Sequence, residues 1–353
     1  MLEQMTSSEV LRANAPVQEP SPRPRSRPRL LGIGVGITLA IVIFATRALT
    51  PSSTADELPN IARDFLTLSI SVVIESLPFV FLGIILSIVV QIWLPESLMQ
   101  RVLPTRPVLR RAVMSLLGVL LPVCECGNVP LTRGMMVKGL TVAESMTFLL
   151  AAPILNPVTI ITTYQAFGWD NGILAARIIG GFLIANLVGW LFSRHPRPET
   201  LLTTRFEATC RVGHDHTAHS PRIRRSISSF ASEVGAMLPA LFIGSAIAGL
   251  IQVGVSRDVL LALGSNPVWS VLALMALAFV IAICSNVDAF FILSFGSTFM
   301  PGAIVAFLVF GAMVDVKMLA LLRTTFTSAT LARLTAIVGL AALALGLGLN
   351  LIA

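Results

Sequence analysis

Cys124, Glu125 and Cys126 stand together in the run Pro122-Val-Cys-Glu-Cys-Gly-Asn-Val-Pro130. A second polar cluster, Cys284-Ser-Asn286-Val-Asp288, repeats its outline further along. Thiolates are soft ligands that favour soft metals and metalloids. A disulfide between residues as close as Cys124 and Cys126 is strained. The pair therefore reads as solute ligands or a polar lining, against the plain alternative of small buried hydrophobes. Cys284 supplies a third soft contact. Asn128, Asn156, Asn286, Asp288 and Asp315 are the polar contacts expected beside them, because they occupy matched places in the two halves of the chain. Glu75 and Glu125 lie within apolar or Pro/Gly-bounded stretches and are the candidates for proton coupling. An ionisable side chain at the centre of a membrane helix costs about 2.5 kcal/mol or more, so such residues mark function.

A further tract, Cys210-x3-His214-x-His216-x2-His219, has the composition of a transition-metal site. His214, His216 and His219 are its expected ligands, and a solvated loop is the alternative. The chain has no Gly-x4-Gly-Lys-Ser/Thr phosphate loop, no nucleophile elbow and no His-Glu-x2-His zinc motif. It reads as a non-enzyme with no bound cofactor, and an ATP-driven pump would need a partner chain for its nucleotide.

The elements that position these residues are membrane helices. Hydrophobic residues make up 55% of the 353-residue chain and charged residues 12%, where soluble domains carry about 25% charged. Mean hydropathy is +0.85. The apolar residues fall in solid blocks, and about 20 of them suffice to cross the hydrocarbon core. Helices fit such blocks, since strands of a membrane barrel alternate. The net charge of +7 does not indicate nucleic acid: the arginines lie in a proline-rich tail and in short loops, as the positive-inside rule places them.

Read in order, residues 1–29 form a disordered cytoplasmic arm and 30–49 an N-terminal transmembrane helix. Residues 62–192 form a first membrane repeat. Residues 193–227 form a cytoplasmic loop holding seven arginines and all four histidines. Residues 228–353 form a second membrane repeat. The repeat is internal to the sequence: Leu77-Pro78…Leu82-Gly83 matches Leu238-Pro239…Ile243-Gly244, Cys124…Asn128 matches Cys284…Asp288, and Phe148…Asn156 matches Phe307…Asp315. Each repeat reads as three spans plus a re-entrant hairpin (or two short spans) around the cysteine cluster. Basic residues on both flanks of the first cluster, Arg110 and Arg111 before it and Arg133 and Lys138 after, favour a hairpin. An odd number of crossings per repeat makes the two inverted, the common plan of secondary transporters. Pro153 and Pro157 bracket Asn156, and a proline break frees carbonyls that could contact a solute or simply kink the helix.

At Cys124-Glu-Cys-Gly-Asn-Val-Pro-Leu131 and Phe148-Leu-Leu-Ala-Ala-Pro-Ile-Leu-Asn-Pro157 the chain resembles the bacterial and archaeal predicted-permease family that includes the ArsP-type organoarsenical efflux permeases. Cys284-Ser-Asn-Val-Asp-Ala-Phe290 and Phe307-Leu-Val-Phe-Gly-Ala-Met-Val-Asp315 carry the likeness into the second half, so that it spans about residues 65–350. The resemblance implies a multi-pass inner-membrane permease. Its arsenical members export trivalent organoarsenicals, whose soft arsenic suits thiols. This sequence has Glu125 where the commoner pattern is Cys-Ser-Cys-Gly, adds Asn128, and carries an extra N-terminal span.

The reading is an all-α integral protein of a bacterial or archaeal plasma membrane with its N-terminus in the cytoplasm. Its partners are the lipid bilayer and a small solute, and a homo-oligomer is compatible with it. The expected function is secondary-active export of a metalloid, organoarsenical or metal ion. A channel-like facilitator and a membrane thiol-disulfide oxidoreductase using Cys124 and Cys126 are the alternatives.

Overall fold

The computed structural model describes residues 60–95, 103–121, 123–169, 171–213, 221–254, 267–296 and 299–352. The arm at 1–29, the span expected at 30–49 and the ligands His214, His216 and His219 lie outside the described residues.

The described chain is helical, because a segment in lipid must satisfy its own backbone groups. The first half runs α1 (Asn60–Ile88), α2 (Pro107–Leu120), α3 (Glu125–Val137), α4 (Val142–Leu155), α5 (Pro157–Phe167) and α6 (Ile173–Ser193). A helix α7 (Thr204–Gly213) follows in the hydrophilic insert. The second half runs α8 (Arg222–Gly254), α9 (Pro267–Ile281), α10 (Asp288–Leu293), α11 (Pro301–Met313), α12 (Val316–Leu322) and α13 (Ser328–Ile352). The halves share an order: a long helix with an internal proline, Pro78 or Pro239, then a broken pair, a second broken pair, and a long closing helix. Among the described residues, six helical stretches are long and apolar enough to cross a membrane: Asn60–Trp93, Val142–Phe167, Ile173–Ser193, Arg222–Val253, Pro301–Leu322 and Ser328–Ile352. The pairs α2–α3 and α9–α10 take the places where hairpins or short spans are expected. The protein is a multi-pass membrane protein.

The elements begin and end for local reasons. Thr141 and Glu144 form a reciprocal capping box at the start of α4, satisfying two otherwise free N–H groups. The breaks inside the two long stretches are capped alike. Asn156 Oδ1 accepts from Val158 N–H at 2.9 Å, with Pro157 as the first residue of α5. Asp315 Oδ1 accepts from Met318 N–H at the start of α12. Side-chain oxygens of Asn and Asp are suited to this because they reach the free amides of the first turn.

Two expectations change. The run Pro122–Pro130 reads as a poor helix, yet the structure confines the break to the stretch between Leu121 and Cys124 and starts α3 at Glu125, running through Pro130. Proline has no N–H, so the cost is one missing bond, the one that Cys126 C=O would have received. The insert at 193–227, expected as a loop, contains a 3-10 turn (Pro198–Leu201) and α7, and α8 already begins at Arg222. It is tied to the α12–α13 turn, where Thr203 N–H donates to Thr325 C=O at 2.9 Å and Thr327 N–H to Leu201 C=O at 3.1 Å.

The core sits on α4 and α11. Every residue of α4 is buried, as is all of α11 but Pro301 and the half-buried Gly311. Helix α4 packs against α2, α3 and α6, and α11 against α9 and α13, while α1 lies along α3 and α8. Apolar side chains such as Leu82, Ile85, Ile179, Leu183 and Leu340 face outward, where lipid is their solvent. Helices in lipid associate through close packing, which small residues permit. One such approach joins α1 to α3: a Cβ on Gly83 would land on the Gly127 carbonyl, whereas one on Gly235 of α8 meets nothing within 4 Å.

Gly83→Val is therefore expected to force α1 off α3, costing at least the ~1–3 kcal/mol typical of overpacking. Monodisperse yield and Tm in detergent check this: both should fall for Gly83→Val and stay near wild type for Gly235→Val. Equal behaviour of the two variants would contradict the backbone contact.

Candidate solute site at two helix breaks

The site forms where the break before α3 meets the break after α9. Cys124 is the N-cap of α3, its C=O accepting from Asn128 N–H at 3.0 Å. In the second half Cys284 C=O accepts from Asp288 N–H at 3.2 Å, at the start of α10. The matched cysteines thus hold the same local role, and the fold brings them together. The Sγ atoms of Cys124 and Cys284 and a carboxylate oxygen of Glu125 all lie within 4.8 Å of one another, and the three residues are buried.

Glu125 organises the cluster. Its Oε2 accepts from Ser285 Oγ at 3.2 Å and from Cys284 Sγ at 3.8 Å, and its Oε1 faces Lys317 Nζ at 3.4 Å. Lys317 also donates to Ala282 C=O at 3.1 Å. Ala282 stands at the end of α9 with φ of 52°, a left-handed conformation that costs a non-glycine residue about 1–3 kcal/mol. Glu125 begins α3, where the helix dipole favours negative charge. Both charges are nearly inaccessible, each side chain 1% exposed. The donor set of two sulfurs and one carboxylate oxygen suits a soft or borderline thiophilic centre.

The remaining expected contacts divide into two groups. Cys126, the neighbour of Glu125, donates to Ser76 Oγ of α1 at 3.6 Å. Asn128 donates to Val123 C=O at 3.4 Å, and its Oδ1 is buried without a partner. Asn156 Nδ2 and Asp315 Oδ2 are likewise buried and unpartnered, their other polar atoms being spent on the helix caps. A buried polar atom left unpaired costs about 1–3 kcal/mol, so these three are open to a polar ligand or water. Asn286 and Asp288, by contrast, are engaged away from the cluster. Asn286 Oδ1 accepts from Thr159 Oγ1 at 3.2 Å, joining α5 to the turn before α10. Asp288 receives both Nη atoms of Arg177 at 3.0 and 2.5 Å, and Arg177 also reaches Thr163 Oγ1 at 2.7 Å. Glu75 lies mid-way along α1 beside Ser76 with its side chain exposed.

Sequence reasoning missed three basic residues. Lys317 reads as the flank of a span near the interface, but it is buried and belongs to the site. Arg177 reads as an unremarked member of an apolar span, but it pairs Asp288. Arg133 serves as a topology marker, but its guanidinium is buried at 2.9 Å from Glu233, bonds Thr325 Oγ1 and Thr324 C=O, and lies 4.2 Å from the Phe206 ring centre. The available signal was the same in each case: a lone cation in or beside an apolar run needs a buried anion. In the hydrophilic insert, burial pushes the Cys210 thiol up to about 11, with Arg133 opposing and Glu207 adding to the shift. Cys210 is thereby a poor thiolate donor to the neighbouring histidine tract.

Comparison with known proteins gives a consistent result. Residues 61–351 match the ArsP_1 predicted permease family. UPF0718 protein YcgR of Bacillus subtilis (strain 168) is 38% identical over 266 residues, 73% of this chain and 87% of that protein. A putative two-component membrane permease complex subunit of Streptococcus mutans is 31% identical over 278 residues, 77% of this chain and 90% of that protein. UPF0718 protein YraQ of Escherichia coli is 28% identical over 124 residues, 34% of each chain. No solved structure is significantly similar. The match spans both helix breaks and the long helices around them, and the chain belongs to the ArsP_1 family of predicted membrane permeases.

Proposed function

We propose that this permease exports a small thiophilic solute, a metalloid, organoarsenical or soft metal ion, by secondary-active transport driven by the proton gradient. The observation that carries this reading is the meeting of Cys124, Glu125 and Cys284, one helix break from each half, in a buried cluster held by Lys317. Each metalloid–sulfur bond that forms displaces one hydroxyl from the metalloid, which departs as water with the thiol proton, whereas a bare soft metal ion displaces the thiol proton alone. Glu125, already an acceptor from Cys284 Sγ, is placed to take that proton from sulfur and, for a metalloid, to pass it to the leaving hydroxyl. Protonated Glu125 no longer balances Lys317, so loading the site loosens a contact between the halves. Glu75, exposed on α1 next to Ser76, whose Oγ receives Cys126, is the proposed relay to water. The unpartnered atoms of Asn128, Asn156 and Asp315 supply polar contacts.

In this reading the halves are inverted repeats, and alternating access works by rocking one against the other. The positive-inside rule puts Arg133 on the cytoplasmic side and Trp169 outside. Two buried ion pairs then lie on opposite sides of the cluster: Arg133–Glu233 toward the cytoplasm and Arg177–Asp288 toward the exterior, each joining the first half to the second. Both are closed, which describes an occluded state. The printed name of the Streptococcus relative, a subunit of a two-component complex, suggests a partner subunit here as well.

The direct test is growth and efflux in a metalloid-sensitive bacterial host across a panel of soft metalloids and divalent metals. The chain should protect against one thiophilic class, and Cys124→Ser and Cys284→Ser should each lower efflux at least ~10-fold, about 1.4 kcal/mol, with normal membrane expression. Unchanged efflux in both variants would remove the thiol role, and efflux that survives collapse of the proton gradient would favour a channel. For the exterior pair, Arg177→Met should leave Asp288 uncompensated and cost about 3–5 kcal/mol, read as a large fall in Tm. Pairing it with Asp288→Leu should recover most of that Tm while abolishing gated transport. A double variant as unstable as the single would contradict the pairing.

A further inference from the structure

Helices α1 and α8 pack along each other but part at one end, leaving an apolar groove of about 310 Å³. Ile85, Ile88, Val89 and Trp93 of α1 form one wall, and Ile223 and Ile227 of α8 form the other. The volume lies at the lower end of the ~300–1,000 Å³ range of small-ligand clefts. Four of these side chains are more than half exposed: Ile85 at 51%, Trp93 at 52%, Ile223 at 67% and Ile227 at 65%. The groove exists because α1 widens into a π turn over Val89–Trp93, which re-aims Trp93 so that its Nε1 donates to Ser226 Oγ at 3.4 Å. Such single π turns often accompany functional sites.

The mouth of the groove is basic. Arg222 adjoins Ser226 at i,i+4 and Arg224 adjoins Ile227 at i,i+3, so the two arginines flank opposite edges of the groove face of α8, on either side of Ile223 in its first turn. Both are exposed. On the α1 side, Lys138 Nζ donates to Gln91 C=O within the π turn at 3.2 Å. Apolar wall, tryptophan and cations are thus stacked in the order acyl chain, interface, phosphate. Tryptophan favours the headgroup level, and basic pockets between membrane helices bind anionic headgroups.

We propose that this groove is a binding site for an anionic glycerophospholipid, with one acyl chain between α1 and α8 and the phosphate held by Arg222 and Arg224 with added charge from Lys138. The assignment is independent of the solute carried. It places a lipid against the same two helices that carry Ser76 and Glu75 on one side and Glu233 on the other, so lipid composition acts on the contact between the halves.

Trp93 provides the probe. In the full chain with Trp169→Phe, Trp190→Phe and Trp269→Phe it is the sole tryptophan. Reconstituted in phosphatidylcholine vesicles, this protein should be quenched at least ~2-fold more by brominated phosphatidylglycerol than by brominated phosphatidylcholine at equal mole fraction. The excess should vanish when Arg222→Gln and Arg224→Gln are added. Equal quenching by the two lipids overturns the proposal, and so does an excess that persists in the arginine variant. Native mass spectrometry of the unmodified chain gives a second reading: retained phosphatidylglycerol should fall several-fold in the arginine variant, and equal retention overturns the site even if the tryptophan variant does not fold.

Discussion

Glu125 and Lys317 are each 1% exposed and stand 3.4 Å apart at the junction of the two halves, and neither charge is tolerable there without the other. Removing one member of a buried ion pair costs about 3–5 kcal/mol, because the remaining charge is left without solvent or partner. The neighbourhood follows from this constraint. Lys317 needs a second acceptor and takes Ala282 C=O, which fixes the end of α9. Glu125 needs donors and takes Ser285 and Cys284, which fixes the turn before α10. Both helix breaks are thus held in register by one carboxylate. The sulfurs of Cys124 and Cys284 lie within 4.8 Å of each other because their turns are fastened to it.

The same logic repeats along the molecule. Arg133–Glu233 and Arg177–Asp288 also join the halves, and each is completed by threonine hydroxyls or backbone carbonyls. In an interface where apolar packing gives no advantage over lipid, contacts of this kind and close glycine approaches carry specificity. Three buried pairs join the halves, and in the proposed transport cycle the states would differ by which of these pairs are intact.

Much of this was legible in the sequence, and the reasons are physical. Apolar blocks of span length gave the long helices, since only helices satisfy their own backbone in lipid. The matched prolines and glycines placed the two halves in parallel order. Asn156 and Asp315 were visible as matched polar residues beside breaks, although as contacts for a solute and not as the helix caps they prove to be. Pro130 misled, because one missing hydrogen bond is tolerable within a helix that is buried from Glu125 to Met136. The pairing of Asp288 with Arg177 was out of reach: the partners lie 111 residues apart, and nothing local distinguishes a buried arginine in α6 from one at an interface. Lys317 was hidden for a related reason, as a lysine after an apolar run normally marks a membrane boundary. Charge balance within apolar segments, counted across the whole chain, is the signal that would have paired them.

The proposed site requires that Cys124 and Cys284, one from each half, bind the same solute. Arsenic-edge X-ray absorption on the purified full chain loaded with methylarsenite, in a Cys210→Ser background, measures this directly. Two sulfur neighbours per arsenic are expected, falling to one in Cys284→Ser and in Cys124→Ser alike. Two sulfurs that persist in Cys284→Ser and depend instead on Cys126, or arsenic without sulfur neighbours, would contradict it.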